Sequence, residues 1–366
     1  MKTFRIVMIT FFSVLALCLC VLLWRWLSFG TAGSFMTSVE VNDHYSLVQE
    51  KEIAAEDITT LSVKFPNSAD VLFYESDDNT ITVKEYMNFT PTDNLLSKIE
   101  LRGSTLLVEG KRRNFSASSF FSSPHSYTEI YLPHDLSASL QVETVSGDIR
   151  SELSFVNYNE VAASTTSGDI ILPAVEAKKI SASSTSGAIR LESATGKSVL
   201  LSTTSGNIAL EQLAGDSSVS STSGAIHIGN VEERIKVSTV SGDIRLDNLS
   251  APFQLSTTSG EITVNDGSGC GKVGTVSGDI HISLCELIGD LTISATSAAV
   301  DLSLPETASF TLDFDSTSGE CSTFFDNVLS FNKKRNEAKG QYGNSPENKL
   351  DVSTVSGDLR ITKSAQ

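Results

Sequence analysis

The hexapeptide Thr239-Val240-Ser241-Gly242-Asp243-Ile244 is the unit from which this sequence is built. Variants of it recur at steps of 18 to 21 residues up to Gly319, and Ser297-Ala298 is a degenerate copy within this series. A double step of 38 residues then leads from Gly319 to the last copy, at Gly357. The repeated glycines are Gly147, Gly168, Gly187, Gly206, Gly224, Gly242, Gly260, Gly278, Gly319 and Gly357. A short fixed period is typical of a solenoid, in which each repeat covers the hydrophobic face of the next.

Apolar residues alternate with polar ones on both sides of the repeated glycine. They stand two and four positions after it, as Ile244 and Leu246 do, and five and seven positions before it, as Val237 and Ile235 do. Alternation with period two predicts two short strands per coil. The sequence therefore predicts an all-β fold, a parallel β-solenoid with about 18–21 residues per coil, stacked at about 4.8 Å.

The side-chain phase changes between Ser241 and Ile244, which predicts a turn at Gly242-Asp243. Glycine suits a turn position with positive φ, and aspartate can bond to nearby backbone. The same alternation directs Thr239 and Ser241 to the interior. We therefore interpret the serine before each glycine as a buried hydroxyl that satisfies backbone groups of the turn, since a buried polar group without a partner is costly.

Changes in the repeat pattern divide the chain into segments. Residues 58–135 show strand alternation without the glycine motif and are predicted to form irregular N-terminal coils and a cap, because a solenoid end must be covered. Residues 136–324 form the regular β-solenoid, 325–349 an insertion loop and 350–366 the last coil. The basic run Lys333-Lys334-Arg335 within the insertion could bind an anionic partner, and a solvated loop is the preferred interpretation.

The first residues predict a membrane anchor. Ile6 to Trp24 carries no charge, Lys2 and Arg5 precede it, and its 19 uncharged, mostly apolar residues can cross a bilayer core of about 30 Å. The charge bias predicts a cytoplasmic start over residues 1–5, a transmembrane anchor over 6–27 and a juxtamembrane linker over 28–57, with the solenoid on the outer side of the cell membrane. A cleaved signal peptide stays an alternative, with a weak cleavage site at Thr31-Ala32-Gly33.

The net charge of −17 argues against nucleic acid as a partner. The outer part of the chain has three cysteines, Cys270, Cys285 and Cys321, which is too sparse for a disulfide framework. Cys321 replaces an inward aliphatic residue and is interpreted as a small core residue. Whether Cys270 and Cys285 pair stays open.

The candidate binding face consists of outward residues four and two positions before the glycine. They are Ser164, Thr166, Ser183, Thr185, Ser202, Thr204, Ser220, Thr222, Ser256 and Thr258. A flat face of small side chains needs no further role. Contact with a glycan or wall polymer is the main functional alternative, and ice binding is another.

Acidic residues follow many of the glycines: Asp148, Asp169, Asp243, Glu261, Asp279, Glu320 and Asp358. Such a column could hold calcium between coils, although turn bonding explains Asp and Asn equally well. The five histidines, His44, His125, His134, His227 and His281, lack metal-ligand spacing, and no catalytic motif is present. We therefore expect no metal, no cofactor and no enzymatic activity.

The repeats Thr144-Val145-Ser146-Gly147-Asp148-Ile149 and Thr275-Val276-Ser277-Gly278-Asp279-Ile280 resemble those of the bacterial putative adhesin domain, a β-strand-repeat family of unassigned function. Gly340-Gln341-Tyr342-Gly343 before the last repeat is also similar to that family. The resemblance covers nearly everything after residue 50. It implies a single-stranded parallel β-helix, expected to be right-handed and often tethered to the cell membrane. It also implies a role in adhesion or envelope-stress sensing, and no catalytic residues carry over.

Three classes of function follow from the sequence. The preferred one is a membrane-tethered, non-enzymatic binding or adhesion module at the cell envelope, whose partners are the membrane and either cell-wall glycan or envelope proteins. The second is a structural or regulatory envelope-stress protein that docks onto membrane partners. An enzyme acting on polysaccharides is the third, and coils of about 18 residues leave little loop for its catalytic groups.

Overall fold

The structure, a computed structural model, describes residues 41–112, 125–344 and 346–364, and these residues form an all-β fold. The N-terminal strands are β1 (Val41–Ala54), β2 (Thr60–Phe65), β3 (Ala69–Ser76), β4 (Thr80–Phe89), β5 (Lys98–Arg102), β6 (Thr105–Glu109), β7 (Ser126–Pro133), β8 (Ser139–Thr144) and β9 (Ile149–Ser151). A short 3-10 turn, Asp93–Leu95, lies between β4 and β5.

The central strands are β10 (Phe155–Thr165), β11 (Ile170–Ser184), β12 (Ile189–Thr203), β13 (Ile208–Ser221), β14 (Ile226–Val231), β15 (Ile235–Ser238), β16 (Ile244–Leu249), β17 (Phe253–Ser256), β18 (Ile262–Thr275), β19 (Ile280–Ala295) and β20 (Val300–Leu304). The C-terminal strands are β21 (Phe310–Ser316), β22 (Cys321–Thr323), β23 (Leu329–Phe331), β24 (Glu337–Tyr342), β25 (Asn348–Thr354) and β26 (Leu359–Lys363), with a 3-10 turn at Asp326–Val328.

Equivalent residues of successive coils stack in parallel register. Ile170 pairs with Ile189, which pairs with Ile208, and the same step leads on to Ile226 and Ile244. All five are at most 1% exposed. The all-β, solenoid-type prediction is confirmed, because each coil places its aliphatic residues directly over those of its neighbour.

Each regular coil contains a third strand segment between the two that the alternation predicts. Its inward residue is Val175 in one coil, and Ala194, Leu213, Val231 and Leu249 follow it in register. All are buried. The prediction of two strands per coil was incomplete, because one buried residue per coil with polar neighbours leaves no alternating pattern to detect.

The coils at the N-terminal end do not follow chain order. Strand β2 pairs in parallel with both β6 and β8, and β3 pairs with both β7 and β9. The first coil of the chain therefore lies between two coils that come later in the sequence. Three antiparallel pairings lie outside this first coil: β5 pairs with β6, β4 with β7, and β1 with β4.

Residues 41–54, which the sequence assigns to the second half of the juxtamembrane linker, form β1. The strand pairs with β4 alone in the described chain, and its side chains from His44 onward are exposed or half-buried. A strand with no strongly buried face carries no apolar alternation, which is why the sequence gives no sign of it.

The last coil is also out of chain order. Strand β25 pairs in parallel with both β19 and β21, and β26 pairs with both β20 and β22. The final residues thus lie between the coil of Ala298 and the coil of Gly319, rather than beyond Gly319 as the repeat order predicts. The insertion is not a plain loop, since β23 and β24 form an antiparallel hairpin that pairs with β21.

The predicted anchor over residues 6–27 lies outside the described residues, as does most of the linker before Val41. Within the described ranges, no helix has both the length and the apolar character needed to cross a membrane.

Candidate functional site

A ladder of buried hydroxyls runs along the inner side of the turn. In one coil the Thr165 hydroxyl accepts a hydrogen bond from the Gly168 N–H at 3.1 Å and donates to the Gly147 carbonyl of the neighbouring coil at 3.2 Å. The hydroxyls that accept the N–H of their own glycine in this way belong to Thr144, Thr165, Ser184, Thr203, Ser221, Thr239, Thr257, Thr275 and Ser316. The ladder fixes each turn and, in most coils, bonds it to the next.

The buried hydroxyl lies three positions before the glycine, so the prediction for the adjacent serine was wrong. Ser241 is exposed, as is the equivalent serine of the other regular coils, whereas Thr239 is buried as predicted. The chain already bends between Thr239 and Gly242. Val240 and Ser241 therefore occupy the outer side of the corner one after the other, and the alternation is broken two residues earlier than the pattern suggests.

The repeated glycines are required for a different reason from the one predicted. The described glycines with positive φ are Gly103, Gly215, Gly271 and Gly343, none of which belongs to the motif. Instead, a Cβ added to Gly242 would lie 2.0 Å from the Gly224 carbonyl oxygen, and one added to Gly260 would lie 1.8 Å from the Gly242 oxygen. At these glycines the stacked turns approach so closely that a Cβ would overlap the carbonyl of the neighbouring coil.

The candidate binding face lies on the outer side of the same strands. Its threonines, Thr166, Thr185, Thr204, Thr222 and Thr258, are exposed, and its serines, Ser164, Ser183, Ser202, Ser220 and Ser256, are half-buried. Within the described chain, none of these ten hydroxyls forms a hydrogen bond to protein. The serine column is continuous over six coils because Ser238 also belongs to it, whereas valine interrupts the threonine column at Val145, Val240 and Val276.

The acidic column bonds the coils together. Asp148 Oδ1 accepts the backbone N–H of Asp169 at 2.8 Å, and Asp169 Oδ1 accepts that of Ala188 at 2.8 Å. Asn207, Asp243, Asp279 and Asp358 accept equivalent amides. These hydrogen bonds explain why Asp and Asn occupy the column. Among the described residues, no group of three or more His, Cys, Asp or Glu side chains gathers as a metal site would require.

The described histidines that face neighbouring coils are bound to carboxylates. His227 Nε2 lies 2.6 Å from Asp247 Oδ2, and His281 Nδ1 lies 3.2 Å from Asp301 Oδ2. Each histidine thus has its own acidic partner, and the two sites are separate.

The three described cysteines are free thiols. Cys321 is 1% exposed and packs as the small core residue that the sequence predicts. Burial raises the pKa of its thiol to about 12, which keeps it protonated and unreactive in the folded state. Cys285 is exposed and Cys270 half-buried, with no disulfide between them.

A groove of about 660 Å³ lies beside the serine column and was not predicted from the sequence. Its polar lining includes Arg234, Lys236, Gln254 and Lys272, with Asp216 at its edge. Lys236, Gln254 and Lys272 are paired in register, six positions before the glycines of three successive coils. The signal that could have revealed the groove is this shared column, in which two lysines recur 36 residues apart.

Five tyrosines cluster on the N-terminal cap, and Tyr74, Tyr86, Tyr127 and Tyr131 among them lie near Glu129. Tyr86 and Tyr127 stack with ring centroids 4.7 Å apart, Tyr45 meets Tyr127 edge-on at 5.1 Å, and Tyr74 stacks on Tyr131 at 5.3 Å. The sequence does not reveal this cluster, because it depends on the pairings of β3 and β4 with β7 and of β1 with β4, which join strands distant along the chain.

Glu129 changes the ionisation of these phenols. The Tyr131 hydroxyl donates to Glu129 Oε2 at 3.1 Å. Partial burial raises the pKa of Tyr86 and of Tyr131 to about 12, and the negative charge of Glu129 contributes to both shifts. The cluster therefore presents neutral hydroxyls around one carboxylate.

The basic run of the insertion divides into two parts. Arg335 forms an ion pair with Asp326, donates to the Cys321 carbonyl at 3.0 Å and lies 3.9 Å from the centroid of the Phe331 ring. It holds the hairpin onto the last coils. Lys333 and Lys334 are exposed.

The Toastrack DUF4097 family model matches residues 58–250 and 232–362. Among solved structures, a putative adhesin from Bacteroides fragilis NCTC 9343 is 18% identical, with a TM-score of 0.39 over 64% of this chain and 100% of that one. A putative adhesin from Parabacteroides merdae ATCC 43184 is 12% identical, with a TM-score of 0.32 over 88% and 98%. A putative lipid binding protein from Parabacteroides distasonis ATCC 8503 is 14% identical, with a TM-score of 0.30 over 88% and 98%. No curated protein matches the chain.

Proposed function

The chain belongs to the Toastrack DUF4097 family, as the resemblance in its repeats predicts, and we propose that it is a non-enzymatic binding module of the cell envelope. In this proposal the apolar segment Ile6 to Trp24 anchors the chain in the cell membrane. The solenoid stands on the outer side and holds a polymer of the cell wall or of another cell surface.

The observation that carries the proposal is the contrast between inner and outer hydroxyls. The inner ones, such as Thr165 and Ser184, are buried and bonded to backbone groups of two coils. The outer ones, such as Thr185 and Ser183, form no hydrogen bond to protein within the described chain. Because the turns are held from inside, the fold does not need the outer hydroxyls. They are free to bond to a ligand.

The chemistry of this face suits a polyhydroxylated polymer. A hydroxyl both donates and accepts hydrogen bonds, as sugar hydroxyls do, and the stacking repeats these groups every 4.8 Å or so. One such contact contributes only about 1 kcal/mol net. Useful affinity therefore requires many contacts at once along several coils, as in multivalent binding.

A triple variant, Thr204→Val, Thr222→Val and Thr258→Val, tests the proposal in the full-length chain. Valine keeps the shape of threonine and already occupies this column at Val240 and Val276, so we expect the melting temperature to stay within a few degrees. Retention on purified wall polysaccharide should fall about a hundredfold, because three hydroxyl contacts of about 1 kcal/mol each, together about 3 kcal/mol, are lost.

The matched control replaces the same three threonines by serine, which keeps the hydroxyls, and it should bind like the wild type. If the valine variant folds and is retained as well as the wild type, the face has no part in binding.

The tyrosine cluster favours a second candidate, a structural or regulatory protein that docks onto envelope proteins. Tyr45 is 47% exposed, and aromatic residues are enriched in protein interfaces. Tyr45→Ser and Tyr127→Ser together should then abolish co-purification with membrane proteins and leave retention on wall polysaccharide unchanged. The reverse pattern would exclude this candidate.

A further inference from the structure

The groove beside the serine column has a charge opposite to that of the molecule. The chain carries a net charge of −17, yet the charged residues lining the groove are Arg234, Lys236 and Lys272 against a single acid, Asp216. Asp216 lies 3.9 Å from Arg234, so that pair is neutral as a unit. The two lysines are left as the net charge of the groove.

Lys236 and Lys272 have no carboxylate partner in the described chain. Other lysines of this protein do, since Lys64 lies 3.1 Å from Glu143 and Lys179 lies 2.7 Å from Glu160. The residues beside the two lysines in their own column are Ser218, Gln254 and Thr292, none of which is acidic. An ammonium group without a counter-ion attracts an external anion.

The spacing of the lysines fits a chain lying along the stacking direction. Gln254 lies between them in register, so they are two coils, or about 10 Å, apart. In the serine column, Ser238 lies two residues after Lys236 in β15 and Ser256 two residues after Gln254 in β17, on the same outward face, while Gly274 takes the equivalent position after Lys272. Leu200 is 47% exposed at the groove and gives it an apolar contact surface.

We propose that this groove binds an anionic polyhydroxylated polymer, whose carboxylate or phosphate groups bond to Lys236 and Lys272 and whose hydroxyls bond to Gln254 and the serine column. The inference rests on the proposed function and deepens it by naming the charge of the ligand. Ammonium groups bind carboxylate and phosphate oxygens by charge-assisted hydrogen bonds, which are stronger than those between neutral groups.

The test measures binding of the full-length chain, kept in detergent, to three immobilised polymers. Polygalacturonate supplies carboxylates, poly(glycerol phosphate) supplies phosphates, and dextran is neutral. We expect tighter binding to one or both anionic polymers than to dextran, and weaker binding as salt is added, because salt screens exposed charges.

The decisive comparison uses two double variants with the same change of charge. Lys236→Gln with Lys272→Gln should weaken binding to the anionic polymer by about tenfold or more, because two charge-assisted hydrogen bonds are lost. Lys333→Gln with Lys334→Gln, which alters exposed lysines outside the groove, should bind like the wild type. Both variants change only exposed side chains, and their melting temperatures are checked first.

Three outcomes would overturn the inference. If the groove variant binds the anionic polymers as the wild type does, the groove is not the site, although the hydroxyl face can still bind. Equal losses in both double variants would mean attraction by net charge alone. If the wild type binds none of the three polymers and no wall polysaccharide, the proposed function falls together with the inference.

Discussion

At the scale of single residues, two hydroxyl residues of one hexapeptide differ in role, since one is buried and fixes the turn and the other faces outward. The Thr239 hydroxyl accepts the Gly242 N–H at 3.1 Å inside the turn, while Ser241, two positions on, is exposed. Position relative to the corner decides which hydroxyl is structural. Mutations of neighbouring serines and threonines should therefore differ sharply in their effect on stability.

Thr239→Val should lower the free energy of unfolding by about 1–3 kcal/mol, since it leaves the buried Gly242 N–H without its acceptor. Ser241→Ala changes an exposed hydroxyl and should stay within about 0.5 kcal/mol of the wild type. Urea denaturation of both variants measures the difference. A larger loss for Ser241→Ala would restore the original interpretation of the serine as the buried hydroxyl.

Gly242→Ala should cost about 3 kcal/mol or more, because its Cβ would overlap the Gly224 carbonyl oxygen of the stacked coil. Gly242→Asn should be at least as harmful, although Asn tolerates positive φ. Gly103 provides the matched control, because it has φ of +60° with no heavy atom within 4 Å of an added Cβ. Gly103→Asn should be mild, and if Gly242→Asn were equally mild, turn conformation rather than close stacking would explain the motif.

At the scale of strands and coils, the repeat predicts what lies inside a coil better than it predicts the order of coils. The inward columns at Ile244 and Val237 are read directly from alternation, because burial selects apolar residues at every second position. Coil order is not encoded in this way. Every coil has the same apolar columns, so the last coil at Gly357 could stack equally well on Gly319 or on Ala298.

The candidate site likewise contains one part that the pattern within a coil predicts and another part that depends on the order of the coils. The outward position of Thr204 and Ser202 follows from the alternation, and in the structure Thr204 is exposed and Ser202 half-buried. The groove of Lys236 and the tyrosine cluster around Glu129 depend on which strands are neighbours. Only the three-dimensional pairing supplies that information for the tyrosine cluster, whereas the register of the repeat already places Lys236 and Lys272 in one column.

Removing residues 346–366 tests the position of the last coil. Strand β22 pairs only with β26 in the described chain, so the deletion should expose Cys321, which is 1% exposed in the intact protein. In a background with Cys270→Ser and Cys285→Ser, Cys321 should become reactive toward a thiol reagent, while the intact chain stays protected. Continued protection of Cys321 after the deletion would mean that the Gly319 coil stacks directly on the Ala298 coil.

At the scale of the whole molecule, one surface combines the features from which we propose a polymer ligand. The serine column runs from Ser164 to Ser256 over six coils, which is five steps or about 24 Å. The groove of Lys236 and Lys272 lies beside it. An acidic protein with one such surface would bind selectively along it, since like charges elsewhere repel an anionic ligand.

We propose that binding uses many weak contacts along successive coils. The affinity of the full-length chain for one wall polysaccharide, cut to defined lengths, tests this directly. We expect weak binding to fragments much shorter than about 24 Å, a steep rise in affinity as length approaches that value, and a slower rise beyond it. A short fragment that bound as tightly as the intact polymer would contradict the account, because it would place the affinity in a single pocket.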